Sequence, residues 1–165
     1  MISDHDLPIL PLKSNSADLR FLLAVLLVYR SNFHLLHWLV KGANFNTLHE
    51  QCKEYYEMLL DDADEVAEML MRTGAKPVNY KEASDLLENC KEKDFKMLSS
   101  SIEYNSDECN VVSRDMLLDI KSIIELVLED PIVQSKSCVG IKSQLEAMHN
   151  KYDLEARYKF YRRTM

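Results

Sequence analysis

With 165 residues, 3 Gly, 4 Pro, 47% apolar and 28% charged residues, the chain has the length of one domain and the turn-poor composition of a helical one, which excludes a multidomain enzyme, a turn-rich sandwich or barrel, and a disordered chain. Its formal net charge of −7, from 20 Lys+Arg against 27 Asp+Glu, has the wrong sign for a protein whose main ligand is a phosphate backbone and suits cationic partners such as metal ions. The uncharged apolar run at 21–29 is shorter than the ~20 residues of a membrane span, and no signal peptide is recognised before it, so a soluble, cytoplasmic protein without a membrane partner is expected.

Residues 1–13, with Pro8 and Pro11 and no sustained period, read as an extended N-terminal arm before a single domain at 14–165. Ser14, Asn15 and Ser16 offer helix-capping oxygens, and Asp18 puts an anion in the first turn. The first helix, over 19–40, is apolar nearly all round, broken by Arg20, Arg30, Ser31, Asn32, His34 and His37, and must be buried on more than one side. Gly42, free to take the left-handed conformation, stops it. Thr47 and Glu50 match a capping box and mark the start of a second helix running to about Arg72, with Tyr55, Leu59, Ala63, Val66 and Leu70 as its apolar stripe. Gly74 and Pro77 end it. A short amphipathic helix at 80–89 lies in the connection. The third long helix is expected over 94–130, with an interruption allowed near 99–101, and Pro131 closes it. The fourth runs from about 137 through Ile141, Leu145, Met148 and Tyr152 to the C-terminus. No strand-like alternation and no 30–45-residue repeat occur. The fold class is therefore all-α: a four-helix bundle with a short extra helix in the long connection between helices two and three.

His34, His37 and His49 fall within sixteen residues at the junction of the first two helices. His34 and His37 share a helix face, and a neutral imidazole is a ready metal ligand, although core-edge histidines with satisfied nitrogens would give the same pattern. On helix two, Glu57, Asp61, Asp64 and Glu68 lie within about 60° of one another. Alone they describe a solvated acidic face, but the like-charged pair Asp64 and Glu68 costs a few tenths of a kcal/mol unless a cation neutralises it. Carboxylates with one or two imidazoles suit Fe(II) better than the soft thiolate sites that select zinc or copper(I). The 4 cysteines, at 52, 90, 109 and 138, are too irregularly spaced for a CxxC zinc site and read as small core or surface residues in a reducing compartment.

The run His34-Leu-Leu-His37-Trp38, then Gly42-Ala-Asn44-Phe45, His49-Glu50 and Asp64-Glu-Val-Ala67-Glu68 resembles the Dps family, the DNA-binding proteins from starved cells or mini-ferritins, in detail between residues 19 and 77. The resemblance implies a ferritin-like four-helix subunit in a hollow homo-dodecamer that oxidises Fe(II) to Fe(III), with peroxide preferred over dioxygen, and stores the ferric product, protecting against oxidative damage. It implies a ferroxidase di-iron centre at a two-fold subunit interface, with His37 and His49 from one subunit, Asp64 and Glu68 from the other, and Trp38 beside them. The chain departs from the family in several places. Lys53 stands where many relatives carry an acid that helps hold the second iron, Met69 replaces an arginine after the last motif, and Tyr152 replaces a tryptophan. Glu129 and Asp130 are the only acids where relatives line iron-entry pores near the third connection.

Other readings remain. Glu146-Ala-Met-His149 is the Glu-x-x-His unit of an intra-bundle di-iron ferritin, although no second copy exists. A nucleic-acid-compacting shell with secondary iron chemistry would rely on the C-terminal Arg157, Lys159, Arg162 and Arg163, interleaved with Tyr158, Phe160 and Tyr161. Those cations would equally complement a helix dipole, and the N-terminal arm sets only Lys13 against Asp4 and Asp6, so DNA binding is expected to be weak or absent. A non-catalytic helical scaffold is the third reading.

Overall fold

The apolar surround of the first helix decides the architecture. In the computed structural model, which describes residues 15–164 apart from 92, 96 and 132, and side chains at 19–162 of these, α1 (Asn15–Leu39) carries Leu19, Leu22, Ala24, Val25, Leu26, Phe33 and Leu36 at 0% exposure. Burying each large aliphatic side chain among them contributes about 1.5–3 kcal/mol. Three elements cover the helix: α2 (Phe45–Arg72), α3 (Tyr80–Glu88) and α4 (Ser106–Leu128), while α5 (Val139–Asp153) packs on α4. The stretch Leu19–Leu39 is long and apolar enough to cross a membrane, but 67% of its 18-residue apolar window is buried inside the bundle. The N-terminal arm and Ser14 lie outside the described residues.

The expected apolar stripe of α2 is buried along its length, and the helix ends at Arg72. Its start differs from expectation: α2 begins at Phe45 behind Asn44, whose φ of 65° is left-handed, so Thr47 and Glu50 do not form a capping box. Asparagine tolerates that backbone better than most residues. The third long helix is also shorter than expected. Asn105 and Glu108 form a reciprocal capping box that starts α4 at Ser106, and Tyr104 is drawn into a parallel bridge with Val40. The Leu98 N–H donates to the buried Asn32 side chain at 3.0 Å, and Phe95 packs edge-on against Phe21 at 5.5 Å between ring centroids. These tertiary contacts hold 97–104 out of helix, which local periodicity did not reveal.

The fourth helix is continuous, with a 3-10 turn (Lys136–Cys138) before α5 and a π-helical turn (Leu154–Lys159) leading into α6 (Phe160–Thr164). An α-helix would rotate Phe160 about 80° away from Tyr152. The wider turn keeps Tyr152, Ala156 and Phe160 in the core together.

Candidate metal site

Chain reversal between α1 and α2 takes five residues, two of them left-handed: Gly42 at φ 90° and Asn44 at φ 65°. The turn is anchored from outside. Lys41 N–H donates to the Tyr104 carbonyl at 2.9 Å, Tyr104 N–H to the Leu39 carbonyl at 3.1 Å, and the Ser106 hydroxyl to the Ala43 carbonyl. His37, in the last turn of α1, thereby meets His49 near the start of α2.

The two imidazoles stack with ring centroids 3.6 Å apart and planes 16° from parallel. Each places its Nδ1 2.7 Å from the backbone carbonyl of the other. A carbonyl only accepts, so each Nδ1 carries a proton, and the lone pair of a neutral ring resides on Nε2. Metal-bound histidines are commonly prepared in this way, with the non-ligating N–H held by a carbonyl. Phe45 stacks on His49 at 4.9 Å, while Tyr56 meets His37 edge-on at 5.5 Å. His34 is held between Trp38 at 4.0 Å and Tyr56 at 4.2 Å. Burial, then the neighbouring His37 and Arg30, lowers the His34 pKa from its ordinary value and favours the neutral ring. Trp38 is 61% exposed and so is available to a second chain. The packing roles of Phe45 and Tyr56 were missed in the sequence. Their spacings of four before and seven after His49, which place aromatics near it on a helix, were the available signal.

Asp64 and Glu68 lie elsewhere. Both are exposed on α2 with Glu57 and Asp61, and at 1.5 Å per residue they stand about 22–28 Å along the axis from His49. One chain therefore cannot close all four predicted ligands on one ion. Among the described residues, no group of three or more His, Cys, Asp or Glu side chains could hold a metal. His37 and His49 form one half of a candidate site, and Asp64 and Glu68 another. At 100° per residue, His49, Lys53, Leu60, Asp64 and Glu68 occupy one side of α2, where Lys53 is exposed and Leu60 retains 39% exposure.

The bundle interior does not present the alternative arrangement. Glu146 is exposed, whereas His149 Nε2 lies 2.9 Å from Glu125, whose carboxylate also accepts from Lys121 at 2.9 Å. These contacts hold Glu125 below the usual carboxylate range, the Lys121 hydrogen bond first and the His149 hydrogen bond next. Asp62, 2% exposed, accepts from Lys151 at 2.5 Å and from the Tyr152 hydroxyl at 2.6 Å. Cations and phenols thus occupy the carboxylates that an intra-bundle metal would need. Met69 is fully buried at the departure from the family's arginine, while at the suggested pore Asp130 is buried and Glu129 exposed.

The fold is that of a ferritin-like subunit, and residues 17–122 match the ferritin-like domain family. The chain is 36% identical over 92 residues to a DNA protection during starvation protein of Porphyromonas gingivalis, covering 55% of this chain and 58% of that relative. It is 32% identical over 121 residues to DNA protection during starvation protein 2 of Bacillus anthracis, covering 70% and 78%. The crystal structure of a Dps protein from Vibrio cholerae O1, described as a member of a broad superfamily of ferritin-like diiron-carboxylate proteins, superposes with a TM-score of 0.76 at 19% identity, over 92% of this chain and 89% of that one. The chain belongs to the Dps family of ferritin-like proteins.

Proposed function

We propose that this chain is the subunit of a homo-dodecameric mini-ferritin shell that oxidises Fe(II) and stores the Fe(III) product, with peroxide or dioxygen as oxidant. The observation that carries the reading is the reciprocal lock of His37 and His49, which presents two Nε2 donors on a chain whose carboxylate half-site is too distant to join them. Antiparallel pairing of two α2 faces about a two-fold axis near Glu57 would bring each histidine pair to the other copy's Asp64 and Glu68. An isologous interface of this kind makes two equivalent sites.

Iron is the substrate, and two imidazoles with two carboxylates suit Fe(II) by donor type. Two Fe(II) ions supply the two electrons that convert one hydrogen peroxide and two protons into two waters, so no hydroxyl radical need be released. The carbonyl-held imidazoles fix donor direction, and Asp64 and Glu68 supply negative charge that favours the ferric state over the ferrous one. Trp38 and Tyr56, beside His34, are oxidisable rings at the edge of the site.

The test combines half-sites. His37→Ala/His49→Ala and Asp64→Ala/Glu68→Ala shells should each be inactive in stopped-flow iron oxidation, whereas co-expressed mixed shells should regain up to about half the rate per mixed dimer, because one of the two interface sites is whole. If shells proven mixed by mass spectrometry oxidise iron no faster than either parent, the shared-site reading fails. DNA compaction has less support. Arg157 is paired with Asp153 at 3.3 Å and Lys159 with Glu155 at 3.0 Å, which weakens the C-terminal basic patch on an acidic chain.

A further inference from the structure

One buried cluster remains outside the iron chemistry. Cys52 of α2 and Cys109, in the first turns of α4, are 0% and 1% exposed, with their sulfurs 3.8 Å apart. Beside them lies Ser113, 0% exposed, whose hydroxyl has no hydrogen-bond partner. Cys52 follows His49 by three residues, and Ser106, three before Cys109, donates to the α1–α2 turn. The pair therefore joins the two helix starts that frame the histidines.

We propose that Cys52 and Cys109 are a peroxide-sensitive dithiol that closes to an intramolecular disulfide, stapling α2 to α4 one turn from His49. A pair of inert core cysteines would also be buried. What distinguishes this cluster is that each thiol has the other as its resolving partner, with an uncommitted hydroxyl donor next to both. The hydrogen bond with Cys52 outweighs burial and leaves the Cys109 thiol below its usual value. The Cys52 thiol is held up, first by its hydrogen bond with Cys109 and then by burial. With Cys109 as the attacking sulfur, or with Cys52, the disulfide formed is the same.

The Cys109 thiolate attacks one oxygen of hydrogen peroxide. The O–O bond breaks, and hydroxide leaves and takes a proton as water, giving a sulfenic acid. The Cys52 sulfur then attacks the Cys109 sulfur, forming S–S and breaking S–O, and the departing hydroxide takes the Cys52 proton as a second water. Two thiols and one peroxide become one disulfide and two waters. Burial makes the reaction slower than that of an exposed thiol, since peroxide must enter between α2 and α4. The inference does not rest on the iron reading.

The experiment uses fully reduced, iron-free shell treated with hydrogen peroxide in the presence of a chelator. The expected result is the loss of two of the 4 cysteines to alkylation in denaturant, a mass decrease of about 2 Da, and a Cys52–Cys109 linked peptide in a non-reduced digest, all reversed by dithiothreitol. In Cys109→Ala the linkage and the mass decrease should vanish. The wild-type peptide map decides the matter even if that variant misfolds. All 4 thiols remaining alkylatable under peroxide that oxidises glutathione in the same tube, a link involving Cys90 or Cys138, or over-oxidised sulfur without a link would each overturn the proposal.

Discussion

In the proposed shared iron site, Lys53 is the position that should tune affinity, because it is exposed one turn beyond His49 on the α2 face that carries Asp64 and Glu68. Side chains four apart on a helix have Cβ atoms about 5–6 Å apart. An ammonium about 6 Å from a doubly charged ion repels it by roughly 1.4 kcal/mol at the dielectric of water, which is about tenfold in affinity. Lys53→Gln should therefore tighten ferrous binding about tenfold at low ionic strength, and Lys53→Asp about a hundredfold, since the charge changes by two units. At ~0.15 M salt, where the Debye length is about 8 Å, both gains should shrink severalfold. Anaerobic titration calorimetry with Fe(II), repeated with Co(II) as a redox-inert probe, measures affinity and stoichiometry in the assembled shell. Equal affinities and stoichiometries within twofold at low salt would mean that the ammonium points away from the metal, and the electrostatic argument would be wrong.

Three further outcomes are expected. Asp62→Ala strands a buried phenol and removes the partner of Lys151, whose side chain is 40% exposed, so it should cost about 2–4 kcal/mol, against about 1–2 for Tyr152→Phe. Denaturant melts at one subunit concentration check this, and equal losses would refute the ranking. His34 has a folded pKa lowered from 6.5, so its contribution to stability is present above 6.5 and lost as pH falls through the folded value. The fall in Tm between about pH 7 and 5 should be shallower in His34→Gln, and an unchanged slope would contradict the assignment. Weak DNA binding, where detected by gel shift at low salt, should drop in Arg157→Gln/Lys159→Gln/Arg162→Gln. These charge changes are preferable to truncation after Glu155, which would remove Ala156 and Phe160, each 1% exposed, from the core. Unchanged shifts in the triple variant would place DNA contacts elsewhere.

Much of this molecule was legible because it is local. The apolar spacing of Tyr55, Leu59, Ala63, Val66 and Leu70 required a buried helix face whatever it packed against. Leu19 to Leu36 required cover on more than one side, and the short helix at 80–88 announced itself by its own amphipathicity. The ordered motifs from His34 to Glu68 carried the family. The sequence could not reveal where partners distant along the chain override local preference. The region before Ser106 has helix-compatible residues but gives its backbone hydrogen bonds to Asn32, Leu39 and Lys41, the Asn44 left-handed turn advances the start of α2, and the π-helical turn follows the demands of Phe160 on the core. At the candidate site, residue types were determined by sequence alone, while three-dimensional folding decided their state. Only the folded turn brings the His37 and His49 carbonyls within 2.7 Å of each other's Nδ1, fixing tautomers through a contact twelve residues apart. Only the rigid rise of α2 separates Asp64 and Glu68 from them, because a hydrogen-bonded helix cannot fold back on itself, which is why, in the proposed shell, the second half of the site falls to another copy of the chain.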